Sequence, residues 1–169
     1  MDRIKEYLEY DPTTGIFNRI KSRSGSNKIG SAVGSLNCGY IIFNFNGVVY
    51  KAHRVAWYFT YGAIPEGGCI DHINGKKSDN RLCNLRLATR LENGQNIHPL
   101  QVNNTSGYRG VHKQKGRWIA KIKVRGKQIY LGCFNTAEEA NKAYIKAKKE
   151  LHPFWVENKE LNSINVRRK

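Results

Sequence analysis

The chain has 169 residues, which is enough for one medium domain or two small ones. Its 29 Lys and Arg side chains against 13 Asp and Glu give a formal net charge of +16, and 40% hydrophobic residues argue against global disorder. The apolar runs are too short for a membrane-spanning helix, the first residues do not resemble a secretory signal, and the four cysteines are scattered without a Cys-x-x-Cys pair. We therefore expect a cytoplasmic protein with reduced thiols and no structural zinc.

The positive charge is concentrated in the C-terminal part of the chain. Residues 104–169 carry 16 basic and 5 acidic side chains, and residues 109–127 hold eight basic residues and no acid. A charge run can be a solvated face, but this one lies on a strand-like pattern. That placement favours a phosphate-binding surface, because each neutralised phosphate releases condensed counterions. We expect nucleic acid as the partner, with no membrane contact and no small-molecule substrate.

The first third of the chain is predicted to form short strands and turns. Residues 11–15, Asp-Pro-Thr-Thr-Gly, are a turn signal. Residues 40–45 and 48–51 flank Asn46-Gly47, which is typical of a β-hairpin. A helical pattern follows over residues 53–61 and stops at Gly62.

Residues 69–97 predict a hairpin followed by a helix. The strands are expected at 69–73 and 85–88, and Thr89 with Glu92 matches a capping box at the start of the helix. Because Pro99 disfavours helical backbone before it, the helix should end there and give way to a linker over 98–106.

The second unit begins near Gly107 and has its own pattern. Apolar residues alternate with basic ones along 118–125, which predicts a strand with one apolar and one largely cationic face. A return strand is expected at 128–134, and residues 136–139 form a second capping box before a helix. The apolar stripe of that helix comprises Ala140, Ala143, Tyr144, Ala147 and Leu151. Residues 153–169 are expected to form a tail.

The residues that could carry chemistry lie in one segment, which comprises Asp71-His72-Ile73-Asn74-Gly75, Asn80-Arg81, Asn84-Leu85-Arg86, Asn93 and Asn96. Taken singly, an Asp-His pair is usually ordinary surface, Asn84 suits a turn, and Asn93 suits a solvated helix face. Together they match what metal-assisted phosphodiester hydrolysis needs, which is oxygen ligands for a hard cation, a His base, and an amide that orients the base.

The order and spacing of these motifs resemble the HNH nuclease family, particularly the homing-type endonucleases of phages and introns. The resemblance covers roughly residues 7–97, with 12 residues from His72 to Asn84 and 9 more to Asn93. The stretches that carry it are His53-Arg54-Val55-Ala56-Trp57, Asp71-His72-Ile73-Asn74-Gly75, Asp79-Asn80-Arg81 and Asn84-Leu85-Arg86.

This resemblance implies a ββα-metal site with assigned roles. Asp71 and Asn93 would hold one divalent cation, Mg²⁺ or Mn²⁺, His72 would be the general base, and Asn84 would orient it. Asn93 stands where many members carry His, which leaves Asn96 as a less favoured alternative ligand. The role of His53 stays open, with a packed position at the helix start favoured.

The second unit resembles the plant ethylene-response-factor, or Apetala-type, DNA-binding domain. The stretches that carry the resemblance are Tyr108-Arg109-Gly110-Val111, Gly116-Arg117-Trp118-Ile119-Ala120, Tyr130-Leu131-Gly132-Cys133-Phe134 and Thr136-Ala137-Glu138-Glu139-Ala140. It implies a three-stranded antiparallel sheet backed by one helix, with the sheet in the major groove. Trp118 is assigned to DNA by the resemblance but to the core by the strand alternation. Over both units, the candidate DNA contacts are Arg54, Arg81, Arg86, Arg109, Lys113, Arg117, Trp118, Lys121, Lys123 and Arg125.

The sequence therefore predicts an α+β, two-domain, site-specific homing-type DNA endonuclease that acts as a monomer on double-stranded DNA. The expected domains are a nuclease at 1–97, a linker at 98–106, a DNA-binding domain at 107–152 and a tail at 153–169. A DNA-binding regulator with a decayed nuclease module is the alternative, and a structured-RNA binder is a third interpretation.

Overall fold

The computed structural model describes residues 1–22, 28–96, 100 and 103–157, and the chain divides into two compact units, Met1–Arg90 and Leu91–Lys169. Helices and antiparallel sheets occur in both units, which confirms the α+β class. The division falls inside the last predicted element of the nuclease region, and the functional domain boundaries stay predictions. In the described part of the chain, no helix combines the length and apolar character needed to cross a bilayer.

The first unit is built from small sheets around two helices. In chain order its elements are α1 (Asp2–Lys5), β1 (Leu8–Asp11), β2 (Ile16–Arg19), β3 (Ala32–Val33), β4 (Ser35–Asn37), β5 (Tyr40–Phe45), β6 (Val48–Lys51), α2 (Ala52–Tyr61), β7 (Cys69–His72), a 3₁₀ turn (Leu82–Asn84) and β8 (Leu85–Ala88). The strands form antiparallel sheets in the orders β1-β2-β3, β4-β5-β6 and β7-β8.

One hydrophobic core joins these elements. Phe17 of β2 is 1% exposed and contacts the rings of Phe43 and Phe59. Val55 and Ala56 of α2 pack into the same core. Burying apolar surface of this kind is the dominant stabilising term in a small unit. Ile70 and Leu85 extend the core to the β7–β8 hairpin, which anchors that hairpin at its base.

The local predictions for the first unit are confirmed. Asn46 and Gly47 have φ of 56° and 79°, the left-handed pair that a two-residue hairpin turn requires, between β5 and β6. Gly62 ends α2 with φ of 79°, and its N–H bonds to the Tyr58 carbonyl.

The second unit contains a three-stranded antiparallel sheet and a long helix. Its elements are α3 (Arg90–Gln95), which crosses the division, then β9 (Val111–Gln114), β10 (Arg117–Val124), β11 (Lys127–Phe134) and α4 (Ala137–Leu151). The strand order is β11-β10-β9. The predicted alternation along β10 is confirmed, since Ala120 and Ile122 are buried under α4 while Lys123 is exposed.

Helix α4 begins as predicted and differs near its end. Thr136 and Glu139 form a complete capping box. The expected stripe is wrong at Leu151, which is 38% exposed. Lys148 is buried in the last turn, because it lies between the rings of Tyr144 and Trp155.

The described parts of the predicted linker and tail belong to the fold of the second unit. Ser106 is buried and its hydroxyl donates to the Val111 carbonyl at 2.8 Å, while Asn104 donates to the Tyr108 carbonyl. Trp155 is 9% exposed. The remaining parts of these two predicted segments, residues 98–99, 101–102 and 158–169, lie outside the described residues.

Gly110→Ala should destabilise the second unit. Gly110 has φ of 71°, and a Cβ there would meet the Tyr144 ring and, at 2.6 Å, the Lys121 carbonyl oxygen. Gly116→Ala is the matched control, because Gly116 has φ of 81° with open space around it. We expect Gly110→Ala to lower the free energy of unfolding by about 1–3 kcal/mol more than Gly116→Ala in urea denaturation. Equal losses would show that backbone conformation alone sets the cost.

Candidate active site and nucleic-acid surface

The β7–β8 hairpin positions the first two candidate catalytic residues. Asp71 lies opposite Arg86 and His72 lies opposite Leu85 in the antiparallel register. Asp71 and His72 are 7% and 5% exposed, so both polar groups are held inside the unit rather than on open surface. Because neighbouring strand residues point to opposite faces, the hairpin separates the carboxylate from the imidazole.

Asp71 is engaged in a cross-strand ion pair. Its Oδ2 accepts from Arg86 Nε at 2.9 Å and from Arg86 Nη2 at 2.7 Å. Arg86 was predicted to contact DNA, and here its guanidinium bonds to the carboxylate predicted to hold the cation.

The His72 ring is oriented by Asn80. Its Nε2 lies 3.2 Å from Asn80 Oδ1, and Asn80 is 3% exposed. An amide oxygen only accepts, so Nε2 carries the proton and donates it. The neutral ring then has its lone pair on Nδ1. Burial lowers the pKa of His72, which outweighs the opposing effect of the Asn80 hydrogen bond, so the neutral form is favoured.

Asn84 was predicted to orient His72, and its side chain makes different contacts. Asn84 Oδ1 accepts from the Asn74 backbone N–H at 2.9 Å, and Nδ2 donates to the Asp79 carbonyl at 2.8 Å. These two bonds close the loop that runs from His72 to Asn80, so Asn84 acts on the loop backbone. A catalytic role for Asn84 stays a prediction.

The N-terminal hairpin braces Asn80 from behind. Tyr10 donates its hydroxyl proton to the Asn80 carbonyl at 2.7 Å, and Leu82 N–H bonds to the Pro12 carbonyl at 2.9 Å. Gly15, with φ of 75°, packs so closely that an added Cβ would lie 2.5 Å from the Arg81 nitrogen. The turn between β1 and β2 is therefore in direct backbone contact with residues 80–82, at the end of the loop that follows His72.

An aromatic cluster surrounds the other side of His72. The His53 ring meets it edge-on at 4.9 Å between centroids, and Tyr40 lies 5.3 Å from His53 and 6.2 Å from His72. Lys51 and Lys77 place their ammonium groups 4.6 Å and 4.8 Å from the Tyr40 ring centroid. His53 is buried at the start of α2, and within the described residues its Nδ1 has no hydrogen-bond partner.

The other candidate residues between residues 54 and 96 differ in burial and in hydrogen-bond partners. Arg54 is exposed on α2. Arg81 pairs with Asp79 through Nε and Nη2 at 2.8 Å and 2.7 Å, and these hydrogen bonds lower the pKa of Asp79 to about 2. Asn93 is half-buried on α3, and Asn96 is buried just after it, both in the second unit. Their relation to Asp71 stays a prediction.

The described residues contain no group of three or more His, Cys, Asp or Glu side chains arranged as a metal site. The donor chemistry still fits a hard divalent cation, because a carboxylate offers about four lone-pair sites and Arg86 occupies only part of them. A cation held by Asp71 and an Asn amide would retain several waters.

The cationic strand surface of the second unit comprises Lys113, Arg117, Lys121, Lys123 and Arg125, and four of these are exposed while Lys121 is half-buried. Trp118 packs with Ala120, Ala137 and Ala140, as the strand alternation indicates. Arg109 is half-buried and hydrogen-bonds the Tyr144 hydroxyl of α4. Their DNA contacts stay predictions.

Sequence reasoning missed Asn80, Tyr40 and the N-terminal brace. Asn80 was part of a motif stretch but received no role, because the sequence does not show which Asn reaches the imidazole. The available signal was an Asn between two charged residues in a polar loop. When such a residue is buried, its amide needs hydrogen-bond partners.

One family model and several known proteins are similar to parts of this chain. Residues 50–95 match a family model described as HNH endonuclease. Protein 3.8 of Escherichia phage T7 is 35% identical over 108 residues, which cover 61% of this chain and 88% of the phage protein. A protein from the SPbeta prophage of Bacillus subtilis, named as a candidate HNH homing endonuclease, is 40% identical over 108 residues. That match covers 63% of this chain and 57% of the prophage protein.

The plant likeness is also found, over a shorter stretch. An AP2-like ethylene-responsive transcription factor of Arabidopsis thaliana is 49% identical over 67 residues, which is 37% of this chain and 12% of the plant protein. No solved structure gives a significant match.

The chain therefore carries an HNH endonuclease domain at residues 50–95, and this domain contains the β7–β8 hairpin with the buried Asp71 and His72. The chain belongs to the same family as Protein 3.8 of phage T7.

Burial lowers the pKa of His53 to about 3, with the neighbouring His72 and Lys51 adding to the effect. The unfolded imidazole protonates near its ordinary pKa of 6.5, so below that pH the unfolded state binds a proton that the folded state does not. The first unit should therefore lose stability as the pH falls from 6.5 towards 3. Between pH 7 and 5 we expect His53 to account for about 2 kcal/mol of this loss.

His53→Gln should reduce that pH dependence in urea denaturation, while a His112→Gln control, at an exposed position, should not. An unchanged pH dependence in His53→Gln would show that His53 does not titrate as a buried neutral group.

Proposed function

We propose that the protein is a metal-dependent, site-specific DNA endonuclease of the homing type that hydrolyses phosphodiester bonds, with His72 as general base. The observation that carries the proposal is the buried His72 ring, held by the buried Asn80 amide and preceded on the same strand by the buried Asp71 carboxylate. An ordinary surface Asp-His pair would have neither the burial nor the braced partner.

His72 is suited to take a proton from water. With Nε2 donating to Asn80, the neutral ring presents its Nδ1 lone pair as the proton acceptor. A lowered pKa keeps that lone pair available at neutral pH. His53 and Tyr40 limit the water around the ring, which fixes its orientation before substrate arrives.

Asp71 and Asn93 would hold one divalent cation, Mg²⁺ or Mn²⁺. When bound, such a cation supplies electrostatic stabilisation of the phosphate and of the leaving oxygen. Arg86 also bonds to the Asp71 carboxylate, so its guanidinium would be a second positive charge beside Asp71, in addition to the cation.

The second unit supplies the proposed grip on DNA. Its sheet carries the cationic strand surface defined above, and the match to the plant transcription factor supports DNA as the partner and a DNA-binding domain at 107–152. A two-stranded ribbon or small sheet fits the major groove. Asn84 keeps its predicted role of orienting His72, which it would perform through the loop backbone that its bonds to Asn74 and Asp79 hold. One active site per chain would make a monomer a nicking enzyme.

His72→Ala should abolish cleavage and leave DNA binding intact. Loss of a general base costs on the order of 10²–10⁴-fold in rate, whereas phosphate contacts dominate affinity. Nicking of a supercoiled plasmid with Mg²⁺ and gel-shift binding of a duplex should be measured on the same preparations. A wild-type cleavage rate in His72→Ala would overturn the assignment of the base.

The same assays separate the alternatives. A wild-type chain that binds duplex DNA but never nicks in Mg²⁺ or Mn²⁺ indicates a regulator with a decayed nuclease module. Stronger competition by structured RNA than by duplex DNA indicates the RNA-binding alternative.

Asn80→Ala should lower the cleavage rate by about 10–100-fold without weakening DNA binding, because the ring loses the partner that fixes its tautomer. Ser78→Ala, at an exposed position in the same loop, is the control and should cleave normally. If Asn80→Ala cleaves at the wild-type rate while Asn84→Ala falls as far as His72→Ala, then Asn84 is the orienting residue in the active complex.

A further inference from the structure

A cavity of about 300 Å³ lies within the second unit, and its lining includes Leu91, Gly94 and Gln95 of α3 but none of the residues assigned to catalysis. Five of its lining residues have basic side chains, and no acidic residue among the described residues lines it. These five residues are Arg109, Lys123, Arg125, Lys148 and His152. Arg109 and Lys148 bring two positive charges close to each other at this site, which is costly without an anion because like charges repel each other where water is limited.

Lys148 is the most deeply buried of the five. Its residue is 4% exposed, and its ammonium group lies 5.2 Å from the Trp155 ring centroid and 5.8 Å from that of Tyr144. In the described part of the chain no carboxylate pairs with it, whereas the next residue, Lys149, pairs with Glu157 at 2.8 Å. Burial lowers the pKa of Lys148 to about 8, and the charge of Arg109 adds to that effect.

His152 presents a second unsatisfied group. It caps α4, is 9% exposed, and places Nε2 at 3.1 Å from the Lys123 carbonyl oxygen, to which Nε2–H donates. The other ring nitrogen, Nδ1, is buried and has no partner among the described residues. Burial lowers the pKa of this ring, and the Lys148 and Arg109 charges act in the same direction, so a bound anion would favour protonation of Nδ1.

We propose that this cavity is a phosphate-binding site in which Lys148, Arg109 and protonated His152 donate to one phosphate group. An ammonium and an imidazolium from the end of α4, together with a guanidinium from the segment before β9, suit a tetrahedral anion with several acceptor oxygens. The cavity is large enough for a phosphate with part of the ester or hydration that accompanies it.

The phosphate can come from a DNA backbone or from a free phosphate in solution. Lys123 and Arg125 belong both to the cavity lining and to the cationic strand surface, so the site opens beside the surface predicted to contact DNA. The proposal does not depend on cleavage, because none of the residues assigned to catalysis or metal binding lines the cavity.

The test uses the full chain, with inorganic phosphate as the probe at constant ionic strength in chloride buffer. Thermal unfolding and isothermal titration calorimetry should both show binding to the wild-type protein. Lys148→Met should weaken phosphate binding about tenfold or more, the loss expected for one charge-assisted hydrogen bond. Lys146→Met, at an exposed position on the same helix, removes the same charge and should bind phosphate normally.

Lys148→Met is expected to fold, because it replaces an unpaired buried cation by an apolar chain of similar length. His152→Gln gives a second, independent variant that keeps a donor for the Lys123 carbonyl but removes Nδ1, and it should also weaken phosphate binding. Equal binding of phosphate by the wild type, Lys148→Met and His152→Gln would overturn the proposal, as would absence of binding to the wild type.

Salt dependence of duplex binding identifies the source of the phosphate. If the DNA backbone occupies the cavity, Lys148→Met should reduce the slope of log K against log salt by about 0.9, and inorganic phosphate should compete with DNA. An unchanged slope with a lost response to inorganic phosphate assigns the cavity to free phosphate. The His72→Ala variant should keep the phosphate response whatever happens to cleavage, so failure of the nuclease proposal and failure of this one are distinguishable.

Discussion

The candidate active site depends on one hydrogen bond, between His72 Nε2 and Asn80 Oδ1. It sets which nitrogen of the ring carries the proton, and therefore which one can accept a proton from water. The bond is buried, so losing one partner would leave the other unsatisfied. The loop backbone that carries Asn80 is held by the Asn84 amide, which bonds to Asn74 and Asp79, and by the Tyr10 hydroxyl, which bonds to the Asn80 carbonyl.

The two units differ in how their basic side chains are balanced by acidic ones. In the first, Asp71 and Asp79 are paired with Arg86 and Arg81, so positive charge near the site is balanced locally. In the second, cations gather on the strands of the sheet and around a cavity, and no acidic residue in the described part of the chain lines that cavity. Unbalanced charge of this kind lowers stability unless an anion is bound, which is the arrangement expected of a surface built for phosphates.

The elements of this fold could be predicted wherever their signal was local. The Asn46-Gly47 turn, the Thr136 capping box and the alternation of β10 depend on neighbouring residues, and all are confirmed. Contacts between distant segments could not be predicted, since nothing in residues 10–15 announces that they lie against Asn80. The burial of Lys148 is another such case, because its aromatic neighbour Trp155 comes from the segment taken for a tail.

The close approach of Gly15 to the Asn80–Arg81 peptide has a consequence for how this nuclease can be divided and reused. The match to the HNH family model begins at residue 50, yet the loop that carries Asn80 is supported by strands that end before residue 20. A fragment cut at the match boundary would keep the Asp-His hairpin and lose its scaffold. The transferable unit in recombination or protein engineering must therefore combine the strands before residue 20 with the matched segment up to residue 95, and grafts of the shorter motif into other proteins would need a substitute for the N-terminal hairpin.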